Sequence, residues 1–192
     1  MSKLLFAILL CSSLASIAQT PVWKADRERS SVSFSVTHLV ISKVEGSFRE
    51  FDGEISAPKP DFTDASIRFQ VDAFSIHTGD DKRDSHLKSG DFLAAEQYPK
   101  ITFQSTSFRR ITEGRYQLEG DLTIRDVTRR LKFNVTYGGI ATEGKKQTAT
   151  FKATTYINRF DYNLQWDKLT EAGGMVVDKM VSIMLKLEFV KQ

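Results

Sequence analysis

The side chains able to do chemistry crowd into one stretch, "HTGDDKRDSHLKSGDF", His77 to Phe92. It carries two of the three histidines, His77 and His86, together with Asp80, Asp81, Asp84 and Asp91. Read as a site, these residues would hold a divalent metal, and the chemistry would be metal-dependent hydrolysis. The spacing argues against it. Zinc ligands usually stand about two to five residues apart, with a second pair beyond. Here the histidines are nine apart and no second pair follows. Capping explains the aspartates more simply, because a carboxylate satisfies the free N–H groups of a first helical turn. Asp80 or Asp81 can cap a short helix through "KRDSHLKS", and Gly90 can end it. Asp91 can then cap a second turn, "FLAAEQ", before Tyr98-Pro99 stops the helix. On this reading the segment closes one end of a container. Leu87, Phe92 and Leu93 face its interior, the charges face water, and Arg83 and Asp84 tie the helix to the body.

The rest of the chain must supply that body, and most of it alternates with period two. Val32, Phe34 and Val36 alternate with serines and Thr37; Ile67, Phe69 and Val71 alternate with Arg68, Gln70 and Asp72. The same holds for Tyr116 to Ile124, Leu131 to Tyr137 and Val181 to Phe189. Further strand candidates are Val44 to Ile55, Ile101 to Phe108 and Ala149 to Ile157. Successive strand side chains point to opposite faces, so each segment has one apolar and one polar face. The count is about eight strands, with turn signals at Glu113-Gly114 and Gly138-Gly139. In "VEGSFREFDGEI" the phase slips between Phe48 and Phe51, and a bulge or sharp bend there would turn both rings inward. Many strands and one short helical segment near residues 80–97 make an all-β class, a sandwich or a closed barrel. A closed antiparallel barrel leaves no strand edge bare. With eight strands its interior is either filled by side chains or wide enough for one slender ligand.

Length and charge narrow the function. The 192 residues suffice for one domain with a real core, and no repeat, low-complexity tract or linker divides them. The start reads as a secretory signal peptide over residues 1–18. Lys3 precedes the apolar run Leu4 to Leu10, and Ser16 and Ala18 are small residues placed for cleavage before Gln19. The mature domain is then residues 19–192, periplasmic or secreted. Cys11 is the one cysteine, and Leu10 stands before it where lipidation would want a small residue. Without Cys11 the domain has no disulfide, thiol nucleophile or thiolate ligand. The formal charge of +3, lowered by one when Lys3 is removed, is far from the basic excess of nucleic-acid binders.

The order of motifs from Asp26 onward resembles the YceI-like family of exported proteins. The pieces that carry the resemblance are "RSSVSFSVTHLVISKVEGSFREFDGEI", "SIHTGDDKRDSHLKSGDFLAAEQYPKITFQS", "YQLEGDLTIRDVTRRLKF" and "INRFDYNLQWDK…GGMVVDKMVSIMLKLE". They cover nearly the whole mature chain. The family often has His-Ser where this chain has Arg29-Ser30. The resemblance implies an eight-stranded antiparallel lipocalin-like barrel. It also implies an elongated apolar cavity for a polyisoprenoid, an isoprenoid quinone or another long amphiphile, with no cofactor and no catalysis.

Inward positions then become candidate ligand-binding residues. One strand offers Phe34, Val36 and His38, and others offer Phe48, Phe69, Phe103 and Leu118. Phe133, Phe151, Ile157, Ile183 and Leu185 fall on the same phase, and Phe92 joins them from the helical clasp. Each buried CH₂ is worth about 0.8 kcal/mol, so one isoprene unit is formally worth roughly 4 kcal/mol. A few units would reach the practical ceiling of noncovalent affinity, so cavity length and the polar mouth must set specificity. His38 could bond a ligand head or a buried water, or be satisfied by a neighbouring strand. Lys82, Arg83, Lys88, Arg129, Arg130 and Arg159 could meet a pyrophosphate head, or be ordinary solvated surface. "QWDKLTEAGGMVV", residues 165–177, is either a lid over the mouth or a long hairpin loop. An integral outer-membrane barrel would also alternate, but the chain ends Phe189-Val190-Lys191-Gln192 without a terminal aromatic and shows no clear aromatic girdles. A membrane-spanning role is therefore not expected, and a homodimer is compatible with these features.

Overall fold

The computed structural model describes residues 19–39, 42–166 and 176–192. The expected leader, Cys11, and Met175 of the lid-or-loop segment lie outside the described residues. The described chain forms one antiparallel sheet of eleven strands. They are β1 (Val22–Ala25), β2 (Ser31–His38), β3 (Ser42–Phe48), β4 (Phe51–Ser56), β5 (Ser66–Asp72) and β6 (Ile76–His77). Then come β7 (Lys100–Thr112), β8 (Arg115–Ile124), β9 (Val127–Glu143), β10 (Lys146–Asn158) and β11 (Val177–Lys191). Because β1 pairs with both β4 and β11, the order β1-β4-β5-β7-β8-β9-β10-β11 closes into an eight-stranded barrel.

Eleven segments make eight staves because two staves are broken. The edge of β11 facing the N-terminal strands carries β1 at one end, with Trp23 opposite Lys191, and β2 along the rest, with Val32 opposite Leu185. A short turn at Arg27–Arg29 separates the two halves. In the same way β3 and β4 continue one another across Arg49 and Glu50. That break is the phase slip between Phe48 and Phe51: Phe51 is buried and Phe48 packs against the same core. The third extra segment, β6, pairs only with Ser47 and Phe48 of β3. Among the described residues, Ser42 to Gly46 therefore have a strand partner on the β2 side alone, and the wall they form is split there.

One turn signal is corrected. Gly138 and Gly139 lie inside β9, at the register shift opposite Thr150 and Phe151, with Gly139 at φ 96°. A glycine bulge bends the stave without ending it. The turn itself comes later, at Gly144, and the Gly114 turn is where the pattern places it.

Among the described residues one short α-helix, α1 (Asp81–Lys88), interrupts the strands. Asp80 is its N-cap and accepts from the backbone N–H groups of Lys82 and Arg83, each at 3.0 Å. Gly90 is not the terminator: Ser89 is the C-cap and donates its hydroxyl to the His86 carbonyl at 2.8 Å. Nor does Asp91 cap a second helical turn. The carbonyls of Ser89 and Lys88 accept from Ala94 and Ala95, folding the chain back in tight turns. Asp91 instead meets Nε2 of His86 at 2.9 Å.

The end of the barrel away from α1 is shut by aromatic packing. Phe62, from the loop after β4, packs on Trp23, Tyr137 and Phe151, with ring centroids 5.1–5.5 Å apart. Phe62 has φ 61°, costly for a bulky residue and sustained by its complete burial. The outer wall is polar at mid-strand. Glu119 faces Lys132 at 3.1 Å and Arg109 at 3.0 Å, and Asp121 faces Arg130 at 2.6 Å. A membrane barrel carries an apolar band at that height. No helix among the described residues is long and apolar enough to cross a membrane.

Candidate functional site

Inside the staves lies an apolar cavity of about 580 Å³, within the range of ligand pockets. Its floor is made by Ile55, Phe108, Phe151 and Phe189, directly above the aromatic plug. Along β11 the lining runs from Val177 to Phe189. At the rise of a strand this is about 40 Å, or roughly 30 Å along the axis of a barrel with ordinary tilt. The space is therefore long and narrow.

Inward phenylalanines leave room because glycines let them lie flat. Phe34 stands directly opposite Gly46, and Phe69 directly opposite Gly53. Phe103 reaches diagonally over Gly120. At each glycine an added Cβ would come within 3.0 Å of the phenylalanine ring, so the ring occupies the space that a side chain would take. The rings panel the wall instead of crossing the lumen, a use of cross-strand aromatic–glycine pairs familiar from barrel walls. Ala153 on β10 keeps the opposite side low. Sequence reading did not single out these glycines. Their signal was present: a glycine inside an alternating strand marks a close approach.

All thirteen candidate residues border this one space. Phe34, Val36, His38 and Phe48 come from the broken staves, Phe69, Phe103, Leu118 and Phe133 from the next four. Phe151, Ile157, Ile183 and Leu185 complete the far wall, and Phe92 stands near α1. Leu87 and Leu93 also face the cavity. His38 sits at the split end, with Nδ1 3.5 Å from the hydroxyl of Ser42.

The charges of the helical clasp do not all face water. Asp84 is only 5% exposed. It accepts from the backbone N–H of Thr78 at 2.9 Å and its hydroxyl at 2.6 Å, and Nδ1 of His77 lies 3.2 Å away. Burial pushes its pKa up, but the hydrogen bonds from Thr78 and His77 outweigh that and hold it below the usual carboxylate value. Arg83 lines the cavity and donates to the same threonine, Nε to the hydroxyl at 2.8 Å and Nη2 to the carbonyl at 3.0 Å. Arg83 and Asp84 thus clasp Thr78 from both sides and fix the helix to the end of β6.

The remaining cations divide. Arg159 is not solvated surface: it is 3% exposed. Its guanidinium donates to the carbonyls of Leu164, Trp166, Val177 and Asp178 at 2.6–3.1 Å, pinning both ends of the segment between them. Arg130 is held by Asp121, Arg129 donates to the Asp161 carbonyl, and Lys82 is exposed. Of the six candidates only Arg83 and Arg159 border the cavity. Near the mouth, the rings of His86, Phe92 and Trp166 meet one another at 5.1–5.4 Å.

The metal reading finds no shared centre. His77 is engaged with Asp84 and His86 with Asp91. Among the described residues no three His, Cys, Asp or Glu side chains converge.

Residues 23–189 match the family described as YceI-like domain. A UPF0312 protein of Staphylococcus aureus (strain N315) is 35% identical over 167 residues, covering 85% of this chain and 94% of the relative. The crystal structure of Burkholderia cenocepacia BcnA superposes with a TM-score of 0.73 at 24% identity, over 85% of this chain and 98% of that one. A polyisoprenoid binding domain from Saccharophagus degradans, implicated in plant cell wall breakdown, superposes with a TM-score of 0.62 at 16% identity, over 87% and 97%. At these identities the structural likenesses establish the fold.

Proposed function

The chain belongs to the YceI-like family, and from that premise we propose that it is an exported binding protein holding one long-chain apolar ligand, such as a polyisoprenoid or an isoprenoid quinone, in the barrel. The observation that carries this reading is the long apolar lumen kept open by phenylalanines lying flat on glycines. A fold built only for stability would fill such a space, since every void forfeits dispersion contacts. The Saccharophagus degradans domain, named for polyisoprenoid binding, shares the fold and supports the ligand class. The sequence of residues 1–18 supports export by way of a cleaved leader. Function is then reversible burial for transport, storage or sequestration, with no catalytic step. The thirteen lining residues named above contact the chain of the ligand.

Organic extraction of the protein as purified, followed by mass spectrometry, tests the reading. An apolar long-chain compound at up to one per protein is expected, and added isoprenoids raise the melting temperature of the emptied protein. Recovery of no such compound, with a melting temperature indifferent to isoprenoids, rejects it.

A further inference from the structure

On the outer wall, away from the lumen, we infer a second binding site: the face of β8, β9, β10 and β11 is a track for a linear acidic saccharide, a chain of hydroxyl-bearing rings that carry carboxylates. This site is independent of what the lumen holds. A shallow groove of about 520 Å³ lies there. Arg115, Gln117, Asn134, Thr136, Lys152 and Thr154 line it, and among the described residues its lining contains no Asp or Glu. Strand pairing sets these side chains in two rows across the staves. Gln117 stands opposite Asn134, and Asn134 opposite Thr154, a row of two amides and a hydroxyl. Two residues along, Arg115 stands opposite Thr136, Thr136 opposite Lys152, and Lys152 opposite Lys186 of β11, which continues the row as its third cation.

The cation row is out of balance. Arg115, Lys152 and Lys186 are exposed, and their side chains make no hydrogen bond or ion pair among the described residues. Lys152 and Lys186 face one another directly on paired strands, and like charges so placed are destabilising. The acids on the neighbouring rows are already engaged. Glu119 is held by Arg109 at 3.0 Å and Lys132 at 3.1 Å, and Glu188 by Arg29 at 3.2 Å. Elsewhere on the wall a cation has its own acid, as Arg130 has Asp121. An anion laid across Lys152 and Lys186 removes their repulsion.

The layout favours a chain of acidic sugars over other anions. Neighbouring strands are about 4.8 Å apart, so the row offers charge at regular steps along a line, which suits an extended polymer. The amide row beside it offers donors and acceptors together, the match for sugar hydroxyls. A polyphosphate has acceptors only and leaves the amide oxygens unanswered. Tyr156 lies two residues from Thr154 on the same outward face and is 69% exposed. Its ring gives a flat apolar platform beside the groove on which the face of a sugar can rest.

The test titrates three polymers of equal length into the full domain: oligogalacturonate, with one carboxylate per ring, neutral dextrin, and inorganic polyphosphate. Oligogalacturonate is expected to bind about tenfold or more tighter than dextrin, to bind tighter than polyphosphate, and to weaken as salt is raised. Lys186→Glu should lower its affinity at least about threefold, and should raise the melting temperature of the free protein because repulsion with Lys152 becomes attraction. Gln117→Ala combined with Asn134→Ala should weaken oligogalacturonate and leave polyphosphate unchanged, which separates recognition of the sugar from attraction of charge. No binding of oligogalacturonate, or binding that Lys186→Glu leaves intact, overturns the proposal. Dextrin bound as tightly as oligogalacturonate overturns the role of the cations. Polyphosphate bound at least as tightly, with the amide variant indifferent, makes the wall a general polyanion surface and overturns the saccharide. Should either variant not fold, the ranking of the three polymers by the unaltered protein decides.

Discussion

The ring of Phe69 lies across Gly53 on the neighbouring strand, in the space where a Cβ would stand. The pair makes the lumen wall flat at that height, and the glycine is what permits it. Gly53→Ala should push the ring toward the lumen. The expected result is at least a tenfold loss of long-chain ligand affinity, with a stability loss of about 1–3 kcal/mol from overpacking. Titration with an isoprenoid and urea unfolding separate the two effects. Unchanged affinity would mean that the ring has another place to go.

Asp84→Asn should destabilise the domain by about 1–3 kcal/mol, because a buried acceptor set is replaced by one that is half donor. The pH dependence has a defined sign. The folded pKa of Asp84 lies below its unfolded value of about 3.9, so its contribution is present above about pH 4. It is lost as pH falls through the folded value. The unaltered protein should lose more stability than the variant below about pH 4 in urea titrations at stepped pH.

Arg159→Met should cost at least about 3 kcal/mol, since four carbonyls lose a charged donor in a buried place. Limited proteolysis is the sharper assay. Cleavage between Leu164 and Asp178 should accelerate before the rest of the barrel yields. Equal cleavage in both proteins would show that the guanidinium is not what pins this segment.

Burial pushes the Tyr162 phenol up to about 12, with the nearby Asp161 adding to the effect. An unfolded tyrosine ionises near pH 10. The neutral phenol therefore favours the fold fully below about pH 10, and that contribution disappears between about pH 10 and 12. Tyr162→Phe should flatten this part of the alkaline stability curve, as read by guanidinium unfolding at stepped pH.

The wall was legible in the sequence because a barrel stave obeys one rule: inward residues recur every second position. Phe151, Ile157, Ile183 and Leu185 follow from that rule alone. It also located the bend at Phe48 and Phe51, where the alternation fails. It could not separate β1 from β2, because a broken stave and a short loop look alike in period. Gly138-Gly139 misled for a related reason, since a bulge and a turn both call for glycine and only the partner strand distinguishes them. Arg159 was hidden for a different cause. Its partners are backbone carbonyls, and carbonyls leave no mark on residue type. Asp84 was half visible: its tie to the body was expected, but its burial depends on Thr78, which no charge pattern singles out.

The ring closes where β1 meets β11, with Trp23 opposite Lys191. These are the first and last strands of the wall to leave the ribosome. The barrel therefore cannot be sealed before β11 has been made, and the closing step joins the most distant strands of the wall, a slow kind of contact to form. Until that moment the greasy inner face stays open to whatever surrounds it, so a guest can be wrapped during closure as well as threaded in afterwards.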